Sequence, residues 1–80
     1  MNQAVVADYA IDISGEICPM TYVRTRLALD GMASGQILAV TLRGEDPRRN
    51  VPLSARRQGH IVLGEAVAAD GGVLLLIQMN

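Results

Sequence analysis

The chain has no lysine, no phenylalanine and no tryptophan, and it has one cysteine. Each absence narrows what it can be. Without Phe or Trp, and with two tyrosines, any core must be aliphatic, built from Ile, Leu, Val and Ala with Met filling gaps. A single cysteine cannot close an internal disulfide, which fits a reducing compartment. Structural zinc needs several Cys or His ligands at close spacing, and one of each cannot supply it, so no metal is expected. No phosphate loop or dinucleotide fingerprint is present, and no cofactor is expected. Seven arginines against eight acids leave a formal charge of −1, which gives no electrostatic reason for direct nucleic-acid or membrane binding. The opening residues, Met1 to Asp8, lack the basic flank and long apolar run of a signal peptide, and no later segment is built to span a bilayer. These features together place the protein in the cytoplasm.

What is present reads as one small domain, residues 1–80, which buries only about 60% of the surface its unfolded chain exposes. Tyr9, Ile11 and Ile13 alternate with Ala10, Asp12 and Ser14, the period of a half-buried strand over about Tyr9 to Ile13. A helix is expected from about Pro19 to Met32, stopped near Gly31 or Gly35. A nearly continuous apolar strand follows, about Gln36 to Arg43, in the manner of a central strand. Arg43 to Pro47 breaks the pattern. A short helix over about Val51 to Gln58 is expected next, with Asn50 as its cap and Pro52 in its first turn. His60 to Ala68 and Val73 to Ile77 then read as two strands joined by a hairpin turn at Asp70-Gly71-Gly72.

The resulting fold class is an α/β two-layer sandwich, β-α-β-α-β-β, with two helices on one face of a mixed four-stranded sheet. A right-handed crossover makes the first two strands parallel. The cysteine connection and the segment from Arg43 to Asn50 then leave the same end of the sheet, with the hairpin turn near them if the third strand is also parallel. His60 belongs at the opposite end, a strand-start residue with a satisfied ring, beyond hydrogen-bond reach of the cysteine. Glu45 and Asp46 read as solvated turn formers rather than an acid/base pair.

Cys18 stands between the first strand and the first helix. Pro19 suits the first helical position, where its missing N–H goes unnoticed, and that makes Cys18 the N-cap. A thiol there faces unpaired first-turn N–H groups and the positive end of the helix dipole, both of which favour the thiolate. Arg24 and Arg26 would support it if they fold back. The helix carries two apolar stripes, Tyr22, Thr25, Ala28, Leu29 and Met32 on one face and Met20, Val23 and Leu27 on another. Only one can face the sheet.

Gly15-Glu16-Ile17-Cys18-Pro19-Met20-Thr21, with Arg24 and Arg26, Asp46-Pro47 and Gly59-His60, resembles the TusA/SirA-like sulfur-carrier family over about Tyr9 to Ile77. Thr21 departs from that family's Cys-Pro-x-Pro pattern and keeps a backbone N–H that a second proline would lack. The resemblance implies the β-α-β-α-β-β fold and a cytoplasmic carrier that holds sulfane sulfur as a persulfide on Cys18. The sulfur would come from a donor protein, a cysteine desulfurase or another sulfurtransferase, and pass to an acceptor protein in tRNA thiolation, cofactor biosynthesis or sulfur oxidation. Pro19, Met20, Thr21, Arg24 and Arg26 are then the residues that start the helix and support the thiolate. The resemblance also puts the Tyr22 stripe on the sheet, leaving Met20, Val23 and Leu27 as a docking surface rimmed by Arg24, Arg26, Arg48 and Arg49. The carrier is expected to be a monomer. The alternative is a small redox-sensing or regulatory interaction domain with no sulfur transfer.

Overall fold

Alternating strand patterns and two helical stretches produce six elements in the computed structural model, which describes residues 7–15 and 20–80. They are β1 (Tyr9–Asp12), α1 (Met20–Asp30), β2 (Ile37–Leu42), α2 (Glu45–Arg57), β3 (Ile61–Val67) and β4 (Val73–Gln78). The order is the one the sequence implies. The sheet runs β1-β2-β4-β3, with β1 parallel to β2 and β4 antiparallel to both β2 and β3. It follows that β3 runs parallel to β1 and β2, so the β3–β4 turn shares an end of the sheet with the two βα connections.

β2 and β4 lie in the middle and supply the floor of the core. Leu38, Val40 and Leu42 pair with Ile77, Leu75 and Val73, and all six are buried on the face that both helices cover. Leu29 and Met32 close the core from the α1 side, and Val51 and Ala55 from α2. Ile13 extends the β1 ladder one residue beyond the strand, donating its N–H to the Thr41 carbonyl at 2.8 Å with its side chain buried.

Two elements differ from the sequence reading. α2 begins at Glu45 rather than near Val51, so the segment expected to be a loop is mostly helix. Gly44 caps it at φ 105°, a conformation that favours glycine, and turns the chain directly from β2 into the helix. Glu45 and Asp46 then occupy the first turn, where carboxylates favour the positive end of the helix dipole. Pro47 is third, where no intrahelical acceptor waits for an N–H. Asn50 is therefore inside the helix, and so is Pro52, which cannot donate to the Arg48 carbonyl one turn back. Full burial of Val51 and Ala55 on either side of it holds the helix together regardless.

The second difference is in β3. Val62 pairs with Ile77 and Gly64 with Leu76, leaving Leu63 as an extra residue in a bulge where the sequence suggested an uninterrupted strand. The turn that follows is tightly specified. Ala68 N–H donates to the Gly72 carbonyl at 2.7 Å, Gly71 N–H to the Ala68 carbonyl at 3.0 Å, and Gly72 N–H to Asp70 Oδ1 at 2.9 Å. Arg43, one residue past β2, grips its tip by donating Nη1 to the Asp70 carbonyl at 2.7 Å and Nη2 to Asp70 Oδ2 at 3.0 Å.

Candidate functional site

The β1–α1 connection is anchored at both of its described ends. On the strand side, Asp12 Oδ1 accepts the Ser14 hydroxyl at 2.6 Å and the Ser14 N–H at 2.9 Å, bending the chain out of the sheet. Those two hydrogen bonds, the side-chain one first, hold the Asp12 carboxyl below the usual aspartate range. Glu16, Ile17, Cys18 and Pro19 lie outside the described residues, and with them the N-cap expected at Cys18 and the helix start expected at Pro19.

On the helix side, the anchor is a pair of threonines. Thr21 and Thr25 are buried, together with Leu29 one turn further on. Thr25 Oγ1 donates to the Thr21 carbonyl at 2.8 Å, so its hydroxyl is satisfied within the helix and its methyl can face the core. Tyr22 is half-buried between the helices, its hydroxyl donating to the Ser54 carbonyl of α2 at 3.4 Å, and burial pushes the phenol up from its ordinary range. The stripe of Tyr22, Thr25, Ala28, Leu29 and Met32 thus faces inward, as the resemblance implied. Thr21 joins it, a contribution that apolar patterning misses because a threonine reads as polar.

The other stripe is in solvent. Met20 is 41%, Val23 40% and Leu27 65% exposed, at helical positions i, i+3 and i+7 that form one continuous strip from the start of α1. Arg24 and Arg26 are exposed beside it, and Arg26 Nε lies 3.9 Å from Asp30 one turn on. Arg48 and Arg49, expected on the same rim, turn the other way. Arg48 donates Nε at 3.3 Å and Nη2 at 3.0 Å to Glu65 Oε1 on β3, and Arg49 lines the same α2–β3 groove. α1 meets α2 on the opposite flank, at Ser54.

At the end of the sheet from which this connection leaves lies a depression of about 370 Å³, lined by Asp12, Ser14, Thr41, Arg43, Asp70 and Leu74 among others. The Arg43–Asp70 clamp at its rim was not singled out from the sequence, although the topology that brings the Arg43 segment and the hairpin turn together was the signal for it. The Gly72 N–H, then Arg43, hold the Asp70 carboxyl below the usual aspartate range. His60 lies at the start of β3, away from this end, its Nδ1 accepting the Asn80 N–H at 3.3 Å. Among the described residues, no group of three or more His, Cys, Asp or Glu could hold a metal ion, and no helix is long and apolar enough to cross a membrane.

Comparisons with known proteins agree on one family. Residues 9–79 match the family model described as Sulfurtransferase TusA. A protein of Archaeoglobus fulgidus named as a sulfur carrier is 42% identical over 62 residues, covering 78% of this chain and 70% of that protein. The protein YedF of Escherichia coli, also named as a sulfur carrier, is 39% identical over 59 residues, covering 74% of this chain and 77% of its own. The crystal structure of a SirA-like protein from Desulfitobacterium hafniense superposes with a TM-score of 0.77 over 88% of this chain and 95% of that one, at 22% identity, and shares its fold.

Proposed function

The chain belongs to the TusA sulfurtransferase family, and from that premise we propose that it is a persulfide carrier whose working group is the Cys18 thiolate. The observation that supports this most directly is that the chain's one cysteine falls in the β1–α1 connection, inside the stretch the family model covers. The chemistry needs no cofactor. The Cys18 thiolate attacks the outer sulfur of a donor protein's persulfide. The donor's S–S bond breaks, a new one forms on Cys18, and the donor leaves as thiolate. An acceptor thiolate then attacks that outer sulfur in the same way and releases Cys18 as thiolate. Donor and acceptor supply the specificity, and the carrier, a cytoplasmic monomer, supplies an accessible nucleophile. Met20 and Thr21 open the helix that follows it, and Arg24 and Arg26 add positive charge one turn further on.

A carrier must be recognised by two partners in turn, and the exposed strip of Met20, Val23 and Leu27 is the surface for it. A contiguous apolar strip beginning two residues after the cysteine is more than scattered surface hydrophobes amount to. Arg24 and Arg26 form its charged rim; Arg48 and Arg49 face β3 and fall outside it.

Intact-mass analysis after exposure to a small-molecule persulfide donor tests the carrier reading. The expected result is the gain of one reductant-labile sulfur atom in the wild-type chain and none in Cys18→Ser, which keeps a good capping residue at that position. Failure to load would leave the chain as a redox-sensing or regulatory interaction domain without sulfur transfer, and equal loading of the variant would contradict the assignment to Cys18.

A further inference from the structure

We propose that the flank of α2 facing β3 is a docking trough for an extended acidic segment of a partner protein, separate from the α1 strip. Two adjoining depressions, of about 490 and 300 Å³, share Arg48, Arg49 and Glu65 and run beside α2 from Glu45 to Arg56. At 1.5 Å per helical residue that is a trough of about 16 Å. An extended chain rises about 3.3 Å per residue, so about five residues of it fill the length. A trough that long suits a linear segment better than a small anion.

Its charge is positive, although the chain as a whole is not. Glu65 pairs with Leu75 of β4 in the register that faces the helices, and its carboxylate engages Arg48. Arg49 and Arg56 line the trough with no ion pair among the described residues. They are seven residues apart, on the same flank, about 10 Å along the axis. Acidic side chains spaced to match would meet both, while Glu45 at the far end disfavours a third acid there. The floor is apolar: Val62 is half-buried, Leu75 is buried, and the bulge leaves Leu63 42% exposed. Such a floor accepts aliphatic side chains between the acids. It carries no aromatic ring, whereas single-stranded nucleic acids are usually held by base stacking on aromatics. The Leu63 bulge interrupts the outer edge of β3, so the segment is held by side chains against α2 rather than added as a regular fifth strand.

The test uses the full chain and a fluorescent ten-residue peptide of alternating Glu and Leu, followed by anisotropy and backbone amide shifts. Saturable binding is expected, weakening with added salt, with shifts confined to α2 and β3. Arg49→Glu combined with Arg56→Glu, both exposed and so compatible with folding, should weaken it at least about tenfold. Arg57→Glu, on the other flank of the same helix, should change it less than about twofold and so controls for net charge. Equal weakening by both charge reversals, shifts centred on α1, no saturable binding, or displacement of the peptide by an equal concentration of oligouridylate or inorganic phosphate would each overturn the proposal. No sulfur donor is present in the measurement, so its failure leaves the carrier reading unaffected.

Discussion

The two helices lie side by side on one sheet, yet they distribute polarity in opposite ways. α2 buries Val51 and Ala55 and turns all six of its charged side chains, among them Arg49, Arg56 and Arg57, to solvent. α1 buries two threonines with Leu29 and leaves Met20, Val23 and Leu27 outside. α2 sends Val51 and Ala55 inward and leaves one large apolar side chain, Leu53, in solvent among its charges. α1 keeps apolar side chains in water that could have been exchanged for polar ones at no cost to the core, and it does so next to the cysteine connection. The contrast separates an apolar outer strip on α1, beside the cysteine connection, from a charged outer face on α2.

The same substitution on each helix breaks or sharpens that contrast most strongly. Val51→Asp places an unpaired charge in the core, at a cost of several kcal/mol, against a total stability of about 4–12 kcal/mol for a chain of this length. Loss of cooperative unfolding by circular dichroism is expected. Val23→Asp, on the exposed strip, should melt within about 3 °C of wild type. In a reconstituted relay it should nevertheless lose at least about tenfold in transfer rate. If it transfers normally, the strip is not the docking surface; if it unfolds, α1 is not oriented as described. Thr25→Ala is intermediate. It removes the buried methyl group and the bond to the Thr21 carbonyl, and a loss of about 1–2 kcal/mol in urea unfolding is expected, whereas Thr25→Val should recover most of it.

The smallest effect is at the hairpin turn. Asp70 is exposed, and its carboxyl is held below the usual range by the Gly72 N–H and by Arg43. A carboxyl depressed in the folded state contributes stability above its unfolded value and loses that contribution as the pH falls through the folded one. Asp70→Asn should therefore lower the melting temperature slightly at neutral pH, and the two proteins should converge below the ordinary aspartate range. A difference that persists in strong acid would assign the effect to the turn's backbone geometry instead.

Much of this arrangement was legible in the residues, because period-two and helical patterns of aliphatic side chains are strong signals in a chain with so few aromatics. Element order, the central place of β2 and the shared end of the β1–α1, β2–α2 and β3–β4 connections follow from them. The start of α2 was hidden because Glu45, Asp46 and Pro47 are as much at home in a turn as in the first turn of a helix. Only the positive φ of Gly44 and the burial of Val51 and Ala55 separate the two. The bulge in β3 had a signal that went unused, a glycine at position 64 inside a strand. Thr25 was placed on the inward face by its spacing, whereas Thr21 escaped because a threonine reads as polar and composition does not reveal that it is buried. Arg48 and Arg49 were near enough in sequence to the β2–α2 turn to be expected at the sulfur end. Helical rotation, which an α2 beginning at Val51 could not have described, points them toward β3.

The bulge at Leu63 also bears on how such a protein stays dissolved. Among the described residues the sheet has two edge strands, β1 and β3. β1 offers four residues, too short a ladder to template a neighbour, and β3 is interrupted where it would otherwise be longest. A chain that must keep an apolar strip uncovered between encounters runs a standing risk that two copies meet there and then zip along their sheets into fibrils. With one edge short and the other bulged, such a meeting has little to propagate along. Deleting Leu63 would straighten β3, and faster fibril growth on agitation, without any change at the strip itself, is the consequence to look for.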